Sequence, residues 1–382
     1  MKDFAIRSPQ EVRFGWGAIG GLPQAVARLG ARPLVVTGGA SIEAGGRLAT
    51  ILTSLTDAGL TPVRFRGVEH DPSVETIDRG RGVLAAEGCD CVVAIGGGSV
   101  MDAGKAIAGL AGESAPTADF VAGRAITGRC LPMVACTTTS GTGSEVTHVA
   151  VLTDSSRQVK ASIRTEGMMP AVAIVDPELT VSMSPETTAF TGLDALTQAL
   201  ESYISVGANP FSDPLALQAA TLLTGSVRKA VREGSDRAVR ENMAAGSMLA
   251  GLALASARLG LVHGLAHPLG VLYHLAHGQA CALLLPHVLE FNAPVAEAKL
   301  ACLARACGIS SNPVDTAAAY MLVVWVRELC AELGCLQPLA DLGLRREDFG
   351  AITAATMASG STKANPRPVT EADVTRILNR AA

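Results

Sequence analysis

The segment Cys91-Val-Val-Ala-Ile-Gly-Gly-Gly-Ser-Val-Met-Asp-Ala-Gly-Lys105 runs from an apolar stretch through a triple glycine into a helix-forming stretch. Glycines leave backbone N–H groups open, and the positive end of a following helix attracts anions. The turn therefore predicts a pyrophosphate site between a buried strand and a helix. Ser99 and Asp102 also match a Ser-x-x-Asp capping box, so an ordinary capped turn stays open as the alternative.

A second polar turn follows the next apolar run. It reads Cys136-Thr-Thr-Thr-Ser-Gly-Thr-Gly-Ser-Glu-Val-Thr147, with seven hydroxyl side chains and two glycines. Such a segment makes a poor core, but it offers hydrogen bonds to a ribose, a phosphate or a nicotinamide amide. A plain Ser/Thr loop is the alternative for this turn alone. Two such turns after neighbouring strands favour a dinucleotide over a mononucleotide.

Outward from these turns, the pattern divides the chain into two halves. The N-terminal half alternates apolar runs with helical patterns, whereas residues after 183 show long helical patterns and hardly any strand signal. We therefore predict an α/β dinucleotide-binding domain with a mainly parallel sheet at 1–183, and an all-helical metal and substrate domain at 184–382. Ligands in such folds bind beyond the carboxyl ends of the strands, in the crevice facing the second domain. The predicted strands are 33–37, 61–65, 91–95, 133–136 and 171–175, and the predicted helices are 46–58, 74–87, 186–206, 213–233, 238–259 and 313–333.

Composition narrows the class of protein. The 382 residues are 48% hydrophobic with a net charge of -4 and no long basic run, which argues against a nucleic-acid partner. The start of the chain lacks the apolar region of a signal peptide, and polar residues interrupt the apolar stretch 249–275, so we expect no membrane attachment. The nine cysteines form no CxxC pair. Free thiols in a reducing compartment, and hence a cytoplasmic location, are expected.

Four of the seven histidines lie within 15 residues, at 263, 267, 274 and 277. His263 and His267 are four residues apart and share one face of a helix, and Pro268 and Gly270 are expected to turn the chain and bring His277 back toward them. This spacing is typical of a metal or proton-transfer site at a helix end. Histidines satisfied within the core are the alternative, although few partners for them stand nearby in the sequence.

Taken together, these motifs resemble those of the iron-containing (group III) alcohol dehydrogenase family. The resemblance spans nearly the full length and implies a dehydroquinate-synthase-like fold, an NAD(P)-binding N-terminal domain and a helical C-terminal domain carrying a divalent metal. The matching motifs are Arg13-Phe-Gly-Trp-Gly17, Gly96-Gly-Gly-Ser99-x-x-Asp102, Thr138-Thr-x-Gly-Thr-Gly-Ser-Glu-Val-Thr147, Asp176-Pro-Glu-Leu179, Gly192-Leu-Asp194, the histidine segment and Asn365-Pro-Arg367.

The resemblance also implies roles for particular residues. In the family, an Asp, a His four residues later and two further His hold Fe²⁺ or Zn²⁺; here these positions are Asp194, Gln198, His263 and His277. Glutamine at 198 departs from the pattern, so we expect a metal that is weakly held or dispensable. His267 would lie beside the nicotinamide and substrate, and with His277 it is the predicted catalytic pair; His274 is either near the ligands or on the surface. The implied cofactor contacts are Gly38, Gly97, Gly98, Ser99, Asp102, Thr138, Thr139, Thr142, Thr147, Lys160 and Leu179.

The leading hypothesis is an NAD(P)-dependent, metal-assisted alcohol dehydrogenase or aldehyde reductase. Its substrate would be a small alcohol, aldehyde or ketone, and the enzyme a homo-oligomer. Gly38 stands where NAD-preferring relatives tend to carry an acidic residue, so NADP(H) should be accepted, and the preference between NAD(H) and NADP(H) stays open. The alternatives are a metal-independent reductase similar to the maleylacetate reductases, a catalytically silent cofactor-binding protein, and a lyase of the dehydroquinate-synthase type.

Overall fold

The computed structural model describes residues 3–43, 46–157 and 159–382. The chain forms two compact units. The first comprises 7–139 and 143–182, and the second comprises 183–382 with the N-terminal residues up to Ile6 and the segment Ser140–Thr142. The functional division of the chain into a dinucleotide-binding domain at 1–183 and a metal and substrate domain at 184–382 stays a prediction.

The first unit is built on a six-stranded sheet in which every pairing is parallel. The strand order is β1-β8-β5-β4-β2-β3. The chain runs from β2 outward to β3 and then returns to pair β4 with the other side of β2. The carboxyl ends of β2 and β4 thus flank a topological switch point, the usual ligand position in open α/β sheets. The strands are β1 (Glu11–Phe14), β2 (Pro33–Thr37), β3 (Val63–Phe65), β4 (Cys91–Gly96), β5 (Met133–Thr137) and β8 (Val172–Val175).

The sheet is buried on both faces, which explains why its central strands are continuous apolar runs. In β4, Val92 and Ala94 belong to one core cluster, whereas Val93 and Ile95 belong to the cluster on the opposite face. The five predicted strands are therefore confirmed. The helices of this unit are α1 (Leu22–Ala27), α2 (Ala40–Glu43), α3 (Arg47–Asp57), α4 (Val74–Ala86), α5 (Gly98–Gly109) and α6 (Thr117–Val121).

Three strands of this unit were not predicted. Strand β1 lies at one edge of the sheet, and β6 (Val149–Asp154) pairs with β7 (Val159–Arg164) as an antiparallel hairpin. All three mix polar with apolar residues, because edge and hairpin strands are only half buried. Asp176 ties the two ends of the unit together, since its carboxylate accepts hydrogen bonds from the backbone of Gly17 and Ile19 at 3.0 Å each.

The second unit is helical, and its apolar residues form one large core cluster. Ser184 caps α7 by accepting a hydrogen bond from the backbone of Thr187, and Pro185 occupies the first helical position. The four helices predicted in this half are confirmed. The helices are α7 (Pro185–Ile204), α8 (Ser212–Arg232), α9 (Arg237–Ala257), α10 (Leu261–Tyr273), α11 (His277–Ala306), α12 (Asp315–Glu332), α13 (Phe349–Ala358) and α14 (Glu371–Ala381).

The histidine segment folds as two helices with a turn between them. The expected turn at Pro268 and Gly270 is wrong, because α10 continues through both residues. The chain turns instead at His274, whose backbone is left-handed with a φ of 55°, and α11 then begins at His277. Apolar residues of α10 on both sides of Pro268 are buried. Their packing outweighs the local cost of a proline inside a helix, about 3 kcal/mol.

No single helix in the described chain is long and apolar enough to cross a bilayer. Only α9 and α10 taken together reach the required length and composition, and they are bent by 104° at the break between them.

Candidate active site

Three helices of the second unit bring four metal-binding side chains together. Asp194 on α7, His263 on α10, and His277 and Cys281 on α11 each offer one ligand atom, and these atoms all lie within 4.8 Å of one another. Asp194 Oδ1 is 3.4 Å from His263 Nε2 and 3.7 Å from His277 Nε2. The structure thus brings together three of the four predicted metal ligands.

Glu201 orients His263 from the side opposite the cluster. Its carboxylate Oε2 lies 2.7 Å from His263 Nδ1. The same carboxylate accepts hydrogen bonds from the backbone of Gly260 and Val262 at 2.9 and 2.7 Å. Since a carboxylate is an acceptor, Nδ1 carries the hydrogen and Nε2 faces the cluster. A carboxylate behind a histidine is the usual support of a metal-binding imidazole.

Two buried acceptors on α7, one of them in this cluster, are consistent with a bound cation. Asp194 Oδ1 and Gln198 Oε1 are buried and have no hydrogen-bond partner among the described residues. Buried acceptors are rarely left without a partner unless an ion or a water satisfies them. The donor set, a carboxylate with two imidazoles, suits zinc or ferrous iron, so the residues fit the metal that the sequence predicted. Whether Gln198 itself is a ligand stays a prediction.

The electrostatics of the cluster also favour positive charge. Burial pushes the pKa of Asp194 upward, but His277 and His263 outweigh it and hold that pKa below its usual range. Burial lowers the pKa of His263, yet Cys281, Asp194 and Glu201 outweigh it and raise the pKa well above its usual value. The groups around His263 therefore create a negative potential that a proton or a divalent cation neutralises.

The remaining histidines of the segment separate into two environments. The ring of His267 is half-buried on α10 and stacks against His277, with centroids 5.5 Å apart and an interplanar angle of 28°. His274 is exposed at the end of α10, so its surface alternative is confirmed. The proximity of His263, His267 and His277 is also confirmed, because the ring centroids of His263 and His277 are 5.3 Å apart.

In the first unit, the triple glycine leads directly into α5. Gly97 is the N-cap residue, and no side chain caps this helix start, so the capping-box alternative for Ser99 and Asp102 is wrong. The backbone N–H groups of the first turn stay available for an anion. Gly97 packs closely against the second polar turn, because a Cβ at this position would lie 3.1 Å from Thr139 Cγ2. The two predicted phosphate turns therefore touch each other, and Thr138 N donates to Gly96 O at 2.9 Å.

Several predicted cofactor residues are joined by polar contacts. Ser99 Oγ accepts from the backbone of Asp71 at 3.2 Å, and Lys160 Nζ lies 2.7 Å from Asp71 Oδ1. Asp102 accepts from Ser144 Oγ at 2.6 Å. These contacts connect α5 to the β6–β7 hairpin and to the loop before α4.

Lys105 is fully buried beneath the second polar turn. Its Nζ lies 3.2 Å from Asp102 Oδ1 and donates to Ser144 O at 3.1 Å and to Thr147 Oγ1 at 3.2 Å. Glu145 in the same turn is also buried, and burial raises its pKa to about 7. The turn is thus held by an internal cation rather than by solvent contacts.

Three further predicted cofactor residues are Gly38, Leu179 and Thr142. Gly38 follows β2, and its carbonyl accepts from Gly67 N at 3.2 Å. Leu179 is buried in a 3₁₀ helix, Pro177–Thr180. Thr142 belongs to the short segment that groups with the helical unit.

Sequence reasoning missed three residues with clear structural roles: Glu201, Cys281 and Lys105. Glu201 follows Asp194 and Gln198 at helical spacing, so one face of α7 carries all three, and this spacing was the available signal. Cys281 follows His277 by four residues and shares its face of α11 in the same way. Lys105 follows Asp102 by three residues, and this helical spacing was the available signal for the ion pair between them.

A parallel sheet with an uncapped helix start at its switch point, together with a helical unit holding a buried carboxylate and imidazole cluster, is typical of metal-containing dinucleotide oxidoreductases. Family comparison agrees with this class. The model of the iron-containing alcohol dehydrogenases matches residues 9–177, and the model of the C-terminal part of the Fe-containing alcohol dehydrogenase family matches residues 188–382.

Individual relatives match over the whole chain. A 1,3-propanediol dehydrogenase of Citrobacter freundii is 38% identical and covers 100% of this chain and 99% of its own. An NAD-dependent methanol dehydrogenase of Bacillus methanolicus is 34% identical over 100% of both chains. A crystal structure of a 1,3-propanediol oxidoreductase superposes with a TM-score of 0.96 at 36% identity, covering 100% of both chains.

The chain therefore belongs to the iron-containing alcohol dehydrogenase family. The predicted fold class, a parallel α/β unit followed by helices in a dehydroquinate-synthase-like arrangement, is confirmed. The protein is an oxidoreductase that acts on CH–OH groups, as an alcohol dehydrogenase or aldehyde reductase. The relatives do not support the maleylacetate reductase alternative.

Proposed function

We propose that the protein is a nicotinamide-dependent, metal-assisted dehydrogenase that interconverts small alcohols with aldehydes or ketones. The observation that carries this proposal is the buried cluster of Asp194, His263 and His277 around an unpartnered carboxylate oxygen. Two relatives are named for small primary alcohols, 1,3-propanediol and methanol, which favours a substrate of that size.

Asp194, His263 and His277 would hold the divalent cation, iron or zinc. When bound, that cation polarises a carbonyl oxygen or lowers the pKa of an alcohol so that hydride can leave its carbon. Glu201 keeps His263 Nε2 turned toward the cluster. Asp194 and His263 are nearly excluded from solvent, which strengthens their electrostatic interactions with any charge in the site.

His267 and His277 are proposed to move the proton that alcohol oxidation releases. The two rings stack, and both side chains are partly exposed, so they connect the buried cluster to solvent. Imidazole is the usual proton carrier near neutral pH. His267 is the one of the pair that lies outside the ligand cluster.

We propose NAD(P) as the hydride carrier, bound by the first unit. The uncapped start of α5 at Gly97, Gly98 and Ser99 would receive the pyrophosphate. The switch point between β2 and β4 supports the same position. The other proposed contacts are Asp102, Thr138, Thr139, Thr142, Thr147, Lys160 and Leu179.

We propose that NADP(H) is accepted and preferred. Gly38 follows β2 without an acidic side chain. Gly67 is hydrogen-bonded to Gly38, and the preceding residue, Arg66, is exposed with no ion pair or hydrogen bond in the described part of the chain. A 2′-phosphate beside Gly38 would thus meet a nearby guanidinium instead of a carboxylate.

A homo-oligomeric state and a cytoplasmic location are proposed as well. Val314, Tyr320 and Met321 expose large apolar side chains within one short segment, which supports an interface there. All nine cysteines are free, as in a reducing compartment. Sedimentation of the purified protein tests the oligomeric state.

Nicotinamide absorbance with a panel of short aldehydes and diols tests the proposed function. We expect oxidation of NADPH or NADH with at least one small aldehyde, and a loss of that activity in His263→Ala. An absence of turnover with every short aldehyde, in protein that binds one equivalent of metal, would contradict the proposal.

A further inference from the structure

We propose that Cys281 is the fourth ligand of the metal centre, so that this chain holds its cation through Asp194, His263, His277 and a thiolate. This inference rests on the proposed metal centre. It assigns to Cys281 the place for which the family pattern uses an imidazole at position 198. It also predicts a softer donor set than a carboxylate with three imidazoles provides.

The distances between the ligand atoms suit a tetrahedral site. Bond lengths of about 2.0 Å to nitrogen or oxygen and about 2.3 Å to sulfur separate tetrahedral ligand atoms by about 3.3 Å, or by about 3.5 Å where one is sulfur. Cys281 Sγ lies 3.7 Å from His277 Nε2 and 4.0 Å from His263 Nε2. Asp194 Oδ1 lies 3.4 and 3.7 Å from the same two nitrogens. These four separations are therefore within about 0.5 Å of tetrahedral values, and the remaining pairs of ligand atoms lie within 4.8 Å of each other.

The fold places Cys281 at the cluster through the start of α11. His277 is the first residue of this helix, and Cys281, four residues later, shares its face. Between them, Gly278 lets α11 approach α7 closely, since a Cβ there would lie 2.2 Å from the backbone oxygen of Phe190.

Gln198 acts differently from the imidazole it replaces. Gln198 follows Asp194 by one turn of α7, and its side chain forms a hydrogen bond with the Asp194 carboxyl group. Gln198 thereby helps to orient the carboxylate, while Cys281 supplies the missing donor. Glutamine at 198 and cysteine at 281 are then two linked differences from the family's ligand pattern: the first removes an imidazole ligand and the second supplies a thiolate in its place. A thiolate shifts the preference of the site toward zinc over ferrous iron, and the cation should be tightly held, unlike the weak binding expected from Gln198 alone.

A buried thiol that merely packs against two imidazoles is the competing explanation, because free cysteines are commonly buried. The unpartnered Asp194 Oδ1 argues against it. That oxygen is buried and lies 3.4 and 3.7 Å from the two imidazole nitrogens of the cluster. Packing alone gives no reason for a buried carboxylate oxygen without a partner at the centre of this group.

Cobalt substitution tests the proposal on the full-length protein. The protein is stripped with a chelator and titrated anaerobically with Co²⁺, and the near-ultraviolet thiolate-to-cobalt charge-transfer band is recorded. We expect the band at one equivalent in the wild type and in Cys330→Ser, a control that alters another buried free cysteine. Cys281→Ser should lack the band and bind Co²⁺ at least about tenfold more weakly. A band of unchanged strength in Cys281→Ser overturns the proposal.

Two further measurements keep the test decisive if Cys281→Ser folds poorly. X-ray absorption of the zinc-loaded wild type should show one sulfur at about 2.3 Å; a shell of nitrogen and oxygen alone overturns the role of Cys281 but leaves the proposed function intact. A wild type that binds no cation contradicts both. The double variant Cys281→Ser/Gln198→His should regain at least half of the lost affinity on a logarithmic scale, since it restores a fourth donor from α7. If the double variant folds but its cation affinity does not recover, Cys281 does not take the place of an imidazole at position 198.

Discussion

Glu201→Gln is the most informative single substitution, because Glu201 supports His263 without belonging to the ligand cluster. Glutamine keeps the volume of the side chain but removes its charge and turns one acceptor into a donor. Glu201 accepts bonds of 2.9, 2.7 and 2.7 Å from Gly260 N, Val262 N and His263 Nδ1. At least one of these three donors would therefore face an N–H group in the variant.

The expected magnitude follows from these three bonds. Replacing a charged acceptor by a neutral one costs about 1 kcal/mol per remaining bond, and a buried donor left unpaired costs about 1–3 kcal/mol. The free energy of unfolding of the metal-free protein should therefore fall by about 3–5 kcal/mol. Loss of the carboxylate behind His263 should also weaken zinc binding by about 10–100-fold.

Urea unfolding of the metal-free protein and zinc competition against a chromophoric chelator measure the two effects separately. Glu328→Gln is the matched control, since Glu328 is exposed on α12, and it should change neither quantity. The reasoning is refuted if Glu201→Gln unfolds within about 1 kcal/mol of the wild type and binds zinc with unchanged affinity.

Three further substitutions test the first unit. Gly38→Asp should shift the cofactor preference toward NAD(H), because a carboxylate about 5 Å from a 2′-phosphate repels it by roughly 3 kcal/mol at an effective dielectric of about 20. Gly38→Ala is the control, since any Cβ at this position would lie 3.2 Å from Val100 Cγ2. A wild-type advantage for NADH beyond about a hundredfold in kcat/KM would contradict the expected NADP(H) use. Burial raises the pKa of Glu145 from 4.5 to about 7, so the folded protein binds more protons than the unfolded chain between these pH values. The wild type should therefore lose about 3 kcal/mol of stability as pH rises from 4.5 to 7, and Glu145→Gln should not show this loss. Urea midpoints that run parallel for the two proteins across this interval would disprove the prediction. Lys105→Met should lower the free energy of unfolding by about 1–3 kcal/mol, because it leaves Ser144 O and Thr147 Oγ1 without their buried donor. It should also weaken NADPH binding in calorimetric titration. Unchanged values of both would show that Lys105 does not hold the turn.

The sequence predicted those parts of the fold that depend on local pattern. Strand β4 is apolar throughout because both of its faces are buried, and the pattern therefore identified it. Strand β1 was not predicted, because its burial alternates over only four residues, which is too short to give a clear strand pattern in the sequence. The turn expected at Pro268 was wrong because tertiary packing of α10 outweighs the local preference of proline.

In the candidate site as well, the predicted residues are those that sequence spacing or motifs identify, and the missed residues are those that only the three-dimensional fold brings close together. Asp194, His263 and His277 were identified because the histidine spacing and the family motifs place them. Glu201 is 62 residues from the imidazole it supports, and no spacing rule shows that α7 passes beside the start of α10. Cys281 was interpreted as one of several buried thiols, since its neighbours on α7 and α10 become visible only in three dimensions.

Metal content measured against turnover tests the central claim most directly. Chelator-treated protein is reloaded anaerobically with graded amounts of zinc or ferrous iron, and bound metal and the rate of NAD(P)H oxidation with a small aldehyde are measured on the same samples. Turnover should rise in proportion to bound metal and level off at one equivalent per chain, and His263→Ala should retain neither metal nor activity. Full turnover in protein shown to contain no metal would contradict the account.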